Sequence, residues 1–232
     1  MTDVRWGRWA LLLLMLLGSC TSAGERASSP TGVPTDTQGS DANPELLLPE
    51  VAHQRAPDTY RVRLETTKGT VLIEANRNWA PIGADRFYNL VRIGFFDDVA
   101  FFRAVENFMI QFGVNGDPAV NKVWSVATIP DDPLLESNLR GSLSFAQGGP
   151  NTRTTQLFIN LKDNSELDDS GFVPVAHVTE GMEVVDRLYT GYGELYPKGR
   201  GPRFQLLNLQ GNTYLKLHFP NMDYIRSAAI IE

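Results

Sequence analysis

For residues 59–232 the sequence predicts a mainly β domain with accessory helices. Three observations carry that prediction. Tyr60, Val62 and Leu64 alternate with Arg61, Arg63 and Glu65, and a Lys68-Gly69 turn leads into a second apolar run at residues 70–74. That is the period-2 signature of a half-buried hairpin. Further short runs rich in Phe, Leu, Ile and Val recur at residues 99–113, 141–146, 156–160 and 172–178, separated by stretches rich in Gly, Pro and Asn. Helical spacing, by contrast, is confined to a few stretches between and after these runs.

In chain order, the segment before the domain reads as a targeting sequence. Arg5 and Arg8 precede an apolar core over residues 10–17, too short to span a bilayer well. It ends in Leu17-Gly18-Ser19-Cys20, small residues directly before the chain's one cysteine. This arrangement resembles the lipobox of bacterial lipoproteins. It is favoured over an ordinary signal cut near Ala23 or an uncleaved anchor, because the single Cys stands where lipidation requires it. The resemblance implies residues 1–20 as signal peptide, Cys20 as a lipidated anchor, and a lipid-anchored place in the bacterial cell envelope, facing the periplasm or exterior. Residues 21–58, rich in Ser, Thr, Pro, Gly and Asp, read as a flexible tether.

After the hairpin, Pro81 opens a helix expected to run to about Arg92, with Phe87, Leu90 and Val91 on one face and Gly94 at its stop. Residues 99–113 read as two strands joined by a turn at Glu106-Asn107. On an extended chain, Phe101 and Arg103 share one face, as do Met109 and Gln111, with Ile110 and Phe112 opposite. An arginine among Phe101, Phe108 and Met109 must either snorkel to solvent or serve an open pocket with a polar partner, since burying a lone cation is very unfavourable. Residues 115–133 read as a long loop in which Trp124 covers apolar surface. Residues 181–189 read as a second helix with Met182, Val185 and Leu188 inward. Residues 205–219 suggest an added C-terminal helix interrupted by Gly211, and residues 224–231 a last strand.

Composition narrows the function classes. The chain has 232 residues, 42% of them hydrophobic, enough for one well-buried domain with extra segments. A net charge of -6 and no long basic run argue against nucleic acid as the main partner. One cysteine allows no internal disulfide. His53, His177 and His218 are scattered without metal-ligand spacing, so neither metal nor cofactor is expected. Asp131-Asp132 and Asp168-Asp169 read as turn formers rather than paired catalytic carboxylates. Ser144 has no partnering His motif, and Gly148-Gly149-Pro150 lacks the Lys-Ser/Thr of a phosphate loop. A monomer is expected.

Three segments in order, FFRAVENFMIQFG, GSLSFAQGGPNTRTTQLFIN and VTEGMEVVDRL, together resemble the cyclophilins, which are peptidyl-prolyl cis-trans isomerases. The resemblance covers residues 59 to about 190. It implies a closed eight-stranded antiparallel β-barrel capped by two helices. Arg103 matches the family's catalytic arginine, Gln111 the residue that holds it, and Phe108, Met109 and Phe158 the seat of the proline ring, beside Phe101. Ala146 and Gln147 match the segment that pairs with the substrate backbone, and Leu167 a pocket wall. Two departures stand out: Glu166 replaces a frequent tryptophan, and Phe172 falls where the pocket histidine is usual. The implied partners are proline-containing polypeptides. The implied function is isomerisation of Xaa-Pro bonds in exported proteins, with a non-catalytic module that binds proline-containing segments as the alternative. The phrases GYGE, GNTYL and FPNMDYI in the C-terminal extension resemble a subgroup of bacterial cyclophilin-like proteins and read as a packed surface element, in preference to a partner site.

Overall fold

The computed structural model describes residues 43–231. The expected signal peptide, Cys20 and the first part of the expected tether therefore lie outside the described residues. Nine strands form one antiparallel sheet: β1 (Thr59–Thr66), β2 (Gly69–Asn76), β3 (Val99–Ala100), β4 (Arg103–Val105), β5 (Met109–Phe112), β6 (Ser142–Phe145), β7 (Leu157–Asn160), β8 (Pro174–Glu180) and β9 (Tyr224–Ile231). Their order is β3-β9-β1-β2-β8-β6-β7-β5-β4.

The eight strands expected are nine here, because Phe101 and Phe102 leave the ladder and split one strand into β3 and β4. These two strands are the opposite ends of the sheet order, yet only two residues separate them in the chain. The sheet must therefore curl until its edges are joined by chain continuity. This hides most of the backbone edge that an open sheet would expose.

The interior follows the alternation read from the sequence. Tyr60, Val62 and Leu64 of β1 and Val71, Ile73 and Ala75 of β2 are buried in one cluster with Phe112, Phe145, Leu157 and Ile159. Helix α1 (Pro81–Arg92) lays Phe87, Leu90 and Val91 into that cluster. Its N-terminus is capped from a distance: Asp132 accepts from the backbone N–H of Ile82 and Gly83 at 2.9 and 2.8 Å. Asp132 is also paired with buried Arg153 at 3.0 Å. It is thus a helix cap rather than a simple turn former.

Two other expectations are corrected. Residues 115–133 are not all loop, because Asp117 caps and Pro118 opens a short helix, α2 (Pro118–Trp124). Trp124 of α2 is buried, and its indole N–H donates 2.8 Å to the Leu46 carbonyl. Residues 43–58 are likewise packed on the domain, with 3-10 turns at Pro44–Leu47 and Pro49–Val51 and with Ala52 and Ala56 in the core. Fully buried Asn89 pins this segment, accepting from the Gln54 N–H at 3.1 Å and donating to its carbonyl at 2.7 Å. The second expected helix shortens to α3 (Met182–Val185), with Leu188 still buried.

At the C-terminal end, α4 (Phe204–His218) brings Leu207, Tyr214 and Leu215 into a second core with Ala100, Phe102, Val114 and Met222, against which Tyr224 of β9 packs. The helix is interrupted at Gly211, whose φ is +53°; a Cβ there would lie 2.0 Å from the Gly116 carbonyl oxygen. Only glycine allows that approach without backbone movement.

Asn89→Ala should release residues 43–58 and lower stability by about 1–3 kcal/mol, the range for removing one partner from buried hydrogen bonds. Thermal melts with limited proteolysis check this, the expected outcome being cleavage ahead of Thr59. An unchanged melting temperature and unchanged protection would contradict the pinning role.

Candidate active site

The site is laid out by strand register. β4 pairs with β5 so that Arg103 faces Gln111, and β5 pairs with β7 so that Gln111 faces Phe158. With neighbouring strands about 4.8 Å apart, one row of three side chains crosses roughly 10 Å of sheet. Alternation then sorts the faces of β5: Ile110 and Phe112 enter the main core, while Met109 and Gln111 face a cavity on the outer side.

That cavity has a volume of about 240 Å³ and is lined by Arg103, Phe108, Met109, Gln111, Ala146, Gln147, Phe158, Leu167 and Phe172. Nine of the ten residues expected at the site are thus brought together. The tenth, Phe101, is not. It is buried in the main core with its ring 5.6 Å from that of Phe112 in an edge-on contact. Alternation was expected to set it beside Arg103, but residues 101 and 102 are not in strand conformation, so the face changes between β3 and β4.

The Arg103 side chain is about a quarter exposed, and its guanidinium is held from two sides. Its Nη1 donates to Gln111 Oε1 at 2.9 Å. Its Nη2 donates to Glu194 Oε2 at 2.7 Å, and its Nε lies 2.7 Å from Glu194 Oε1. Gln111 is oriented in turn, because its Nε2 donates to Gln156 Oε1 at 3.0 Å. Burial pushes the Glu194 carboxyl up, but hydrogen bonds from Arg103 and the Leu195 N–H, with the nearby positive charge, hold it below the ordinary Glu value. Glu194 and Gln156 were not among the residues picked from the sequence. Gln156 precedes the β7 run and carried no signal of its own, whereas Glu194 lay in the GYGE phrase.

The apolar walls rest on a buried asparagine network that sequence reading also missed. Asn164 donates to the Phe108 carbonyl at 2.9 Å and to Asn160 at 2.7 Å. Asn138 donates 2.7 Å to the Phe172 carbonyl and 2.7 Å to Asp168. Burial raises the Asp168 carboxyl, yet hydrogen bonds from Ser137 and Asn138 outweigh it and leave it below the ordinary Asp value. Asp168 sits in the 3-10 turn Ser165–Ser170, which presents Leu167 to the cavity. Three asparagines in or beside strands, all fully buried, were the available signal, because Asn is depleted in strands unless its amide is used.

Opposite, the Ala146 N–H is taken by the Gln156 carbonyl at 2.9 Å, and Gln147 donates to the Ser170 carbonyl at 3.1 Å. The Gln147 Oε1 is buried and has no hydrogen-bond partner among the described residues, and Gln147 lines the cavity. The Phe158 and Phe172 rings meet edge-on at 5.6 Å and form an apolar corner. Glu166 is exposed and lies 3.7 Å from Lys162, away from the cavity lining. The arrangement combines an apolar seat for a small ring with a fixed cationic donor beside it.

The model of the cyclophilin type peptidyl-prolyl cis-trans isomerase family matches residues 61–199. A peptidyl-prolyl cis-trans isomerase of Acinetobacter baylyi is 33% identical over 132 residues, covering 55% of this chain and 70% of that protein. Peptidyl-prolyl cis-trans isomerase-like 1 of Rhizopus delemar is 34% identical over 133 residues, covering 55% and 78%. A crystal structure of a cyclophilin type isomerase from Cryptosporidium parvum superposes with a TM-score of 0.55 at 20% identity, over 75% of this chain and 98% of that one. The same protein in the presence of the dipeptide Ala-Pro gives a TM-score of 0.53 at 20% identity, over 74% and 99%.

Proposed function

The chain belongs to the cyclophilin-type peptidyl-prolyl cis-trans isomerases, and from that premise we propose that Arg103 accelerates rotation about Xaa-Pro bonds by stabilising the twisted amide. Rotation breaks amide resonance, which sets a barrier of roughly 20 kcal/mol and makes the uncatalysed exchange slow. In the twisted transition state the prolyl nitrogen turns pyramidal and gains a lone pair that the planar ground states lack. A guanidinium N–H aimed at that nitrogen stabilises the transition state more than either isomer, which is what catalysis requires.

One observation carries this reading: Arg103 stands at the rim of an open apolar cavity built from Phe108, Met109, Phe158 and Phe172. Arginine suits the task because it stays protonated and offers donors in a fixed plane. The ring of proline lies against Phe108, Met109 and Phe158, and the low-dielectric walls strengthen the donor's effect on the nitrogen. Ala146 and Gln147, which line the cavity opposite Arg103, pair with the substrate backbone. The alternative, a non-catalytic binder of proline segments, would fit a cavity plugged by one of the protein's own side chains. The cavity's volume of about 240 Å³ favours the enzyme.

Arg103→Ala should lower kcat/KM by on the order of a hundredfold, the scale for losing one preorganised donor. A protease-coupled assay or NMR exchange on an Ala-Pro peptide, with circular dichroism to verify folding, checks it. A folded variant with nearly wild-type activity would remove Arg103 from the mechanism.

The reading extends to location: Cys20 carries a lipid anchor and holds the domain in the bacterial cell envelope, where exported chains supply the Xaa-Pro bonds. The lipobox-like Leu17-Gly18-Ser19-Cys20 supports this. Cys20→Ser should shift the protein from the membrane fraction to the soluble fraction on cell fractionation. Equal membrane association of variant and wild type would contradict the anchor.

A further inference from the structure

The GYGE phrase, left without a role by the sequence, delivers a carboxylate to the site. Gly193 forms an antiparallel bridge with Ala104, on the edge of β4 away from β5. In antiparallel register the next opposing pair is Arg103 and Glu194, so their ion pair is a cross-strand contact set by backbone geometry. Both oxygens of Glu194 are engaged, Oε2 with Nη2 and Oε1 with Nε, each at 2.7 Å.

Glu194 is itself restrained. Its Oε1 also accepts from the Leu195 N–H at 2.8 Å, and its carbonyl accepts from the Gly201 N–H at 2.9 Å. A Cβ on Gly199 or Gly201 would lie 2.3 or 2.7 Å from the Glu194 carbonyl oxygen, so the loop folds tightly over this residue. Tyr192 and Leu195, on either side, pack on the second core with Phe102 and Tyr214. The C-terminal helix and its core are therefore the base from which Glu194 reaches Arg103.

Given the isomerase reading above, on which this rests, we propose that Glu194 is a positioning residue. Its carboxylate grips the guanidinium side-on and holds it at the rim of the proline cavity. The pair does not silence the arginine. Glu194 takes one N–H of Nη2 and Gln111 one of Nη1, while the buried Nε lies against Glu194 Oε1 as an ion-pair contact, so each Nη keeps one N–H for the amide. Glu194 does not line the cavity, so its contribution falls on the turnover step rather than on substrate binding.

The test is a double-mutant cycle in the full chain with an Ala-Pro peptide, measuring kcat and KM separately for wild type, Glu194→Ala, Arg103→Ala and the double variant. Glu194→Ala should lower kcat by on the order of tenfold with KM little changed, as expected when a reacting group loses its alignment. Glu194→Gln, which keeps one acceptor, should recover part of the loss. In the Arg103→Ala background, Glu194→Ala should have no further effect, because a positioning residue has nothing left to position. Wild-type or faster turnover in Glu194→Ala overturns the inference, as does the same loss with and without Arg103. A wild-type chain without isomerase activity would instead remove the functional reading, and the inference with it.

Discussion

An arginine side chain only about a quarter exposed needs partners for its charge, because a partly desolvated charge without them is strongly disfavoured. In this chain the partners come from the two edges of one short strand. Gln111 answers from β5 on one edge of β4, and Glu194 from the bridge at Gly193 on the other. Arg103 is therefore fixed by the same antiparallel registers that close the fold, and a slip of one residue in either would turn it away from the cavity. The cavity depends on the same registers, since the β5–β7 pairing sets Phe158 beside Gln111.

The molecule carries two cores with different duties. The larger, inside the curled sheet, holds β4, β5 and β7 in place through Ala104, Ile110, Phe112, Leu157 and Ile159. The smaller, made by α4 with Phe102, Val114 and Met222, holds the loop from which Glu194 projects. Phe101 and Phe102 divide between them, which is why the chain leaves the ladder there and β3 and β4 are separate strands. The break separates the strand that seals the sheet beside β9 from the strand that presents the arginine.

Much of this was legible in the sequence because it depends on local periodicity. The first hairpin, the split faces of β5, α1, the last strand and the interruption at Gly211 all follow from spacing and backbone chemistry. The family resemblance supplied the register, so nine of the ten expected residues meet at the cavity. Phe101 did not, because alternation holds only while the chain stays extended. The packing of residues 43–58 was hidden because they follow a Ser/Thr/Gly-rich stretch and show little apolar periodicity, while what retains them is distant Asn89 and Trp124. Glu194 was hidden for the same reason: it lies 91 residues from Arg103, and only the fold makes them neighbours.

The account's central claim is that the proline ring sits on Phe108, Met109 and Phe158 while Arg103 addresses the prolyl nitrogen. A crystal structure of this chain with the dipeptide Ala-Pro tests it most directly. The account predicts the ring in the cavity of about 240 Å³, an Arg103 N–H directed at the prolyl nitrogen and the Glu194 contact kept. A dipeptide bound elsewhere, or in the cavity with Arg103 turned away from the amide, would contradict it.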